Sequence, residues 1–297
     1  MDVSSIVRRS AARYGKDIAL EGPDGTRSFA ELGDRVTRLA HGLRSLGLSD
    51  EERVLDLQSN SCTYVESDLG IAAAGLCRVA LNYRLRPQDW ERIAADSGAR
   101  TLIIQSQFLN SATEHLTSSM EHVLVIGDPD VGIGFEHLIG TAPAHPLPIA
   151  ADDALVSLNY SSGTTGTPKG AQRTHRNRLA SLSNMVTDVL GRPAQDDVWC
   201  HAGPITHASG LFVLPHIAFG VRQVILPSWD PDAFIDAAVN RGVTGSVLVP
   251  TMIARLLGHD RAESVRSHGG LRRLCYAGAP MPAEHILQAR MRITPNL

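Results

Sequence analysis

The sequence predicts an α/β fold in layers, with mostly parallel sheets flanked by helices. Three observations predict it. Short apolar runs of strand length alternate with segments whose apolar residues recur at helical spacing. Each strand-like run ends at a glycine, a proline or a polar residue, and such ends are where ligands bind in open α/β sheets. At 297 residues the chain is long enough for two sub-domains around large cores.

Taken in order, Val36, Leu39, Ala40, Leu43 and Leu46 mark one face of a helix that stops at Gly47. Arg53–Leu57 reads as a short strand, followed by a helix over residues 64–74. Pro87–Ser97 reads as a helix, and residues 101–104 and 122–126 as buried strands. Residues 140–151, with Pro143, Pro146 and Pro148 among alanines, have the composition of a linker. The expected division is therefore a first α/β sub-domain over 1–150 and a second over 151–297. Residues 154–159 are strand-like, and a helix starts at Thr174 or His175 and runs to about Leu190. Strands are then expected at 198–201, 222–226, 245–249 and 271–276, and helices at 211–219, 231–240 and 251–257.

Bulk properties exclude several classes. The chain is 43% hydrophobic and 20% charged with a net charge of −3, which gives no reason to expect nucleic acid or an anionic membrane as partner. No apolar run approaches the ~20 residues that span a bilayer. Met1-Asp2-Val3-Ser4-Ser5 has no basic region followed by an apolar core, so no signal peptide is read there. Cys62, Cys77, Cys200 and Cys275 lack paired spacing and read as reduced thiols of a cytoplasmic protein, with no metal site expected.

Residues 160–170 read YSSGTTGTPKG. Glycines at 163, 166 and 170 permit φ > 0 and close approach of backbone to a ligand. Successive backbone N–H groups in such a turn can form an anion-binding concavity. Ser161, Ser162, Thr164 and Thr165 add hydroxyl donors, and Lys169 adds a compact positive charge. The chain uses 26 Arg and only 2 Lys, Lys16 and Lys169, so an ammonium at this loop stands out where a point charge and not a planar fork is wanted. The combination suits a polyphosphate; the competing reading is a surface turn between two strands. A Walker A loop does not fit, because Pro168 and Gly170 occupy its second glycine and its Ser/Thr positions.

YSSGTTGTPKG resembles the phosphate-binding signature of the acyl-adenylate-forming (AMP-binding) superfamily: acyl- and aryl-CoA ligases, amino-acid adenylation domains and luciferases. Leu81-Asn82-Tyr83-Arg84-Leu85 and Asp96-Ser97-Gly98-Ala99 resemble the first lobe of the same family. The resemblance implies the N-terminal portion of the adenylating enzymes' large domain. It implies activation of a small carboxylic acid with ATP and Mg2+ as acyl-AMP, then transfer to coenzyme A or to a carrier protein's phosphopantetheine. It further implies that Ser161, Ser162, Gly163, Thr164, Thr165, Gly166 and Lys169 hold the phosphates.

His207, in Gly203-Pro204-Ile205-Thr206-His207-Ala208-Ser209-Gly210, would be a structural hydrogen-bonder on residue type alone. The family resemblance of its H-x-x-G pattern assigns it instead to positioning the acid. His201 and His216 stay on the structural side. Amino-acid adenylation domains carry an aspartate in this segment for the substrate ammonium, and this chain has none, so an α-amino acid is disfavoured. Gly278, Ala279 and Pro280, a strand-to-helix turn by local reading, resemble the segment along the nucleotide's adenine side. Val249, Thr251 and Met252 are weaker pocket candidates, since apolar residues at a strand end usually belong to the core.

The family's Tyr-Gly-x-Thr-Glu stretch, ribose aspartate, hinge and second catalytic lysine have no match here, and no lysine follows Lys169. The resemblance thus implies an N-terminal portion that binds ATP weakly and turns over poorly alone, since positioning and electrostatic stabilisation are incomplete. Two rivals stand beside it: a non-catalytic homologue that binds a nucleotide or a partner, and a generic NTPase.

Overall fold

The computed structural model describes residues 1–128, 131–161, 169–268 and 270–297. Among these residues lie β1 (Ile18–Gly22), β2 (Gly25–Ser28), β3 (Arg53–Leu57), β4 (Cys77–Leu81), β5 (Thr101–Gln105), β6 (His122–Ile126) and β7 (Ile133–Gly134). Next come β8 (Leu155–Ser161), β9 (Lys169–Thr174), β10 (Val198–His201), β11 (Arg222–Ile225), β12 (Gly245–Leu248) and β13 (Arg273–Tyr276). The chain forms two compact units: Met1–Ala12, Ala30–Ser59 and Thr63–Ser181 in the first, and Arg13–Phe29, Asn60–Cys62 and Leu182–Leu297 in the second. The expected α/β class is what the structure has.

The first unit is built on a seven-stranded sheet of order β7-β6-β5-β3-β4-β8-β9. All its pairs are parallel except the antiparallel β8–β9 pair. Helices cover both faces. Val54 packs with Leu39, Leu43 and Ile71 on one side, while Leu55 and Leu57 pack with Trp90 and Ile93 on the other. Burial on both faces is why β5 and β6 read as continuous apolar runs rather than as alternating ones.

Asp56 interrupts β3, fully buried, beneath Arg78 of β4, whose Nε donates to Asp56 Oδ2 at 2.6 Å. Arg78 Nη1 also lies 3.2 Å from Asp68 Oδ1, and Arg178 holds Asp68 in a two-pronged grip at 2.9 and 2.7 Å. Gln58 donates to the other oxygen of Asp56 at 2.5 Å, and the Arg78 guanidinium lies over the Tyr64 ring at 4.2 Å. Burial pushes the Asp68 carboxyl up, but Arg178 and Arg78 outweigh it and hold the group at about 2. Burial pushes the Asp56 carboxyl up against the pull of Arg78 and Gln58; it is the Arg78 and Arg178 guanidinium groups that compensate the two carboxyls inside the unit, the condition under which buried charge is tolerated.

The second unit holds a six-stranded sheet of order β13-β12-β10-β11-β1-β2, parallel except for the β1–β2 hairpin. Cys200, Val224, Phe234, Ile235, Leu248 and Ile253 pack on one face; Trp199, Phe212, Val221 and Val247 pack on the other.

Helices with a proline at their first turn match expectation closely: Pro87–Ser97 and Pro231–Asn240 have the bounds read from sequence, and Pro250–Leu257 starts one residue early. The helix from His175 runs to Asn184 and continues to Leu190 in wider, π-type turns. The expected helix at 211–219 is a tight turn, Ala208–Phe212, followed by an α-helix, Val213–Ala218. The division expected at residue 150 differs from that of the compact units. After the proline-rich stretch β8 returns to the first sheet, where Ser157 and Leu158 pair with Arg78 and Val79 of β4.

Candidate functional site

The YSSGTTGTPKG stretch joins β8 to β9. The two strands pair antiparallel up to its edge, with Tyr160 opposite Gly170 and Ser161 opposite Lys169. Ser162, Gly163, Thr164, Thr165 and Gly166 lie outside the described residues. Lys169 opens β9 and is exposed. Gly170 does not have the positive φ that its residue type allows. Its glycine answers to close packing instead: a Cβ there would meet the Tyr160 ring at 2.9 Å. That tyrosine is fixed in turn, its hydroxyl donating to Asp96 Oδ2 at 2.5 Å. Backbone pairing and the tyrosine together make a stiff stem for the loop.

The remaining candidates belong to the second unit, and the sheet brings them to one edge. β10, β12 and β13 are neighbours and parallel, so the segments leaving their C-terminal ends emerge side by side. These segments are 202–207, 249–252 and 277–280. They adjoin: Ala277 N donates to Leu248 O at 3.3 Å, and a Cβ at Gly278 would come within 3.4 Å of the Val249 side chain. A Cβ at Gly203 would lie 3.6 Å from Met252 Cε. Gly278 has φ +91°, a left-handed conformation that a side chain strains, and Gly278, Ala279 and Pro280 are exposed. Thr251 is exposed and Val249 half-buried, while Met252 is buried in the core, as its apolar character suggested. The outer end of a parallel sheet with an open glycine turn is the ordinary place for a ligand in this architecture.

His207 is exposed and immediately precedes the Ala208–Phe212 turn. Its backbone is closed on both sides, by His207 N donating to Pro204 O at 3.1 Å and Gly210 N donating to His207 O at 3.0 Å. His201 and His216 are buried. His201 shares hydrogen bonds of 2.8 Å with Ser209 Oγ and Gln223 Oε1. His216 Nδ1 donates to Phe212 O at 2.6 Å, and its ring stacks on Trp199. Asn60 escaped sequence reading altogether. Its Nδ2 donates to Gly203 O at 2.9 Å and Leu226 O at 3.1 Å, and its Oδ1 accepts from Ile205 N at 2.9 Å. Nothing local marks it, because those partners lie 143, 166 and 145 residues away.

Burial pushes the His201 imidazole down from 6.5 to about 4 and that of His216 to about 3, against the hydrogen bonds each makes. Both are neutral in the folded unit at pH 7. The unfolded chain takes up these protons first, so folded stability is full above pH 6.5 and declines as pH falls from there toward 4. The expected slope is up to about 1.4 kcal/mol per pH unit for each imidazole. Urea midpoints measured between pH 7.5 and 4.5 check this, and a midpoint constant over that range contradicts it.

No group of three or more His, Cys, Asp or Glu side chains able to hold a metal lies among the described residues. No described helix is long and apolar enough to cross a membrane.

A family model described as AMP-binding enzyme matches residues 7–296. Feruloyl-CoA synthase of Amycolatopsis sp. is 34% identical over 263 residues, which span 86% of this chain and 50% of that protein. 4-Hydroxybenzoate–CoA/benzoate–CoA ligase of Rhodopseudomonas palustris is 29% identical over 98% of this chain and 55% of its own length. The chain therefore spans about half the length of the curated relatives it matches. Among solved structures, the anthranilate CoA ligase AuaEII in complex with anthranoyl-AMP superposes with a TM-score of 0.91 at 24% identity, over 100% of this chain and 58% of that one. At that identity the likeness speaks for the fold.

Proposed function

The chain belongs to the AMP-binding enzyme family, and from that premise we propose that the whole protein activates an aryl carboxylic acid with ATP and passes the acyl group to a thiol. In the first half-reaction a carboxylate oxygen bonds to the α-phosphorus of ATP and pyrophosphate leaves, giving acyl-AMP. In the second, a thiol sulfur replaces AMP on the carbonyl carbon; coenzyme A or a carrier phosphopantetheine would supply it. The observation that carries this reading is the open edge formed by segments 202–207, 249–252 and 277–280, with an exposed histidine on one and a left-handed glycine on another.

This chain's own residues would divide the work as follows. Lys169, exposed at the foot of the loop with Ser161 across from it, supplies a positive charge for the β- and γ-phosphates. The hydroxyls of 162, 164 and 165 and the glycines of 163 and 166 would add donors. Gly278, Ala279 and Pro280 present backbone and small apolar surface to the adenosine, and the open side of Gly278 fits close approach. His207 orients the acid. Magnesium would offset the charge of the phosphates, and the described residues offer it no cluster of acids.

The aryl class is favoured by the relatives named for ferulate and benzoates. An α-amino acid is disfavoured because Thr206-His207-Ala208-Ser209 offers no acid to its ammonium. The test is release of pyrophosphate by the full-length protein with ATP and a panel of ferulate, benzoate, 4-hydroxybenzoate and phenylalanine. Pyrophosphate is expected with at least one aryl acid and not with phenylalanine. Phosphate release independent of any acid would support an NTPase instead, and neither product with any acid would support a non-catalytic homologue.

A further inference from the structure

We infer that Asn60 and His201 are positioning residues of the acid site: together they fix the backbone that presents His207. The inference rests on the reading of His207 as the group that orients the acid.

Asn60 is 2% exposed, and its amide uses two donors and one acceptor on backbone groups alone. Gly203 O and Ile205 N flank the turn that follows β10, and Leu226 O lies just past β11. One side chain therefore ties the exits of two neighbouring strands and sets the backbone two residues ahead of His207. The second anchor lies two residues behind. Ser209 is held at 2.8 Å by His201, at the end of β10, and His201 is held at 2.8 Å by Gln223 of β11. With the Gln223 oxygen accepting from His201 Nε2–H, Nδ1 is left as the acceptor for the Ser209 hydroxyl. The Pro204 O and Gly210 N bonds close the backbone between the anchors. Gly210 lets the turn tighten further, because a Cβ there would strike Ile205 O.

Buried polar groups need partners in any case, and satisfying them would explain each bond singly. It does not explain why both anchors close on the same short segment, on either side of an exposed histidine. Pre-organisation does, since a group that positions a substrate must itself be held to within a fraction of an ångström. The two readings differ in what they move. Loss of a structural bond lowers stability and reduces the apparent kcat through the folded fraction, leaving the KM for acid and for ATP unchanged. Loss of a positioning bond raises the KM for the acid selectively.

The experiment compares Ser209→Ala, His201→Gln, Asn60→Asp and His207→Ala in the full-length enzyme. It uses hydroxamate formation from ATP, hydroxylamine and the best aryl acid of the panel above. Ser209→Ala is the mildest of these, removing one hydroxyl and leaving His201 in place. The expected result is a rise of about tenfold in the acid KM for Ser209→Ala, His201→Gln and Asn60→Asp, with the ATP KM within about twofold of the parent, matching the pattern of His207→Ala. If His207→Ala raises the acid KM and the other variants do not, or if their acid and ATP constants shift together, the inference is overturned and the reading of His207 stands. If His207→Ala itself leaves the acid KM unchanged, that reading falls and the inference falls with it.

Discussion

Replacing Lys169 with alanine in the full-length enzyme is expected to lower acid-dependent pyrophosphate release by about 10²–10³, the range seen when one aligned electrostatic donor is removed from a reacting centre. The negative charge of a triphosphate needs a cation held close without a demand for planar geometry, and an ammonium on a flexible stem meets that need. Only one other lysine exists in the chain, Lys16, near the start of a different unit. The loss should come through chemistry and not through folding, since Lys169 is exposed and its backbone pairing with Ser161 survives any side chain. Lys169→Arg is expected to recover part of the activity, since charge returns but the fork fits the phosphates differently. The comparison is made with circular dichroism spectra and melting points matched between variants. Activity of Lys169→Ala within about threefold of the parent would remove the role proposed for the loop.

The second large effect is on stability. Arg78→Ala leaves Asp56 fully buried without its guanidinium partner and loosens the grip on Asp68. Removing one member of a buried pair costs about 3–5 kcal/mol, because the remaining charge keeps its desolvation penalty and loses its compensation. For units of this size that corresponds to a fall in Tm on the order of 10 °C. Asp56→Leu combined with Arg78→Met should restore much of the loss, since matched apolar replacement of a buried pair is often neutral. A double variant as unstable as Arg78→Ala alone would show that the cluster acts through something other than charge compensation. Acid adds a separate signature: Asp68 is held at about 2, so its contribution is complete above pH 3.8 and is lost as pH falls through about 2.

Legibility from sequence followed how local each cause was. The helices at 87–97 and 231–240 were readable to the residue because a proline marks the first turn and an apolar face follows. β4 was not read, although four of its five residues are apolar or sulfur-bearing, because Arg78 interrupts the run and the acid that makes it tolerable is 22 positions earlier. β9 was not read because Lys-Gly-Ala-Gln-Arg-Thr shows no alternation; it exists by pairing with β8. The helix Val3–Tyr14 was missed too, although Asp2 sets its start by accepting from Ser5 N at 2.9 Å. The candidate positions Lys169, His207 and Gly278 rest on residue type and spacing, which the sequence displays directly. The supports of the candidate site were not legible, since Asn60 and the Ser209–His201–Gln223 chain of bonds become visible only once distant segments are neighbours.

β9 is the outermost strand of its sheet, and an outermost strand ordinarily invites another molecule to extend it. Here it is short and carries lysine, glutamine and arginine at 169, 172 and 173, and the far end of the sheet tapers to the two-residue β7. Charge on an edge discourages intermolecular strand addition. The ammonium proposed for a triphosphate would therefore also discourage such strand addition: a hydrophobic residue at 169 would remove the proposed ligand contact and the charge on the edge at once.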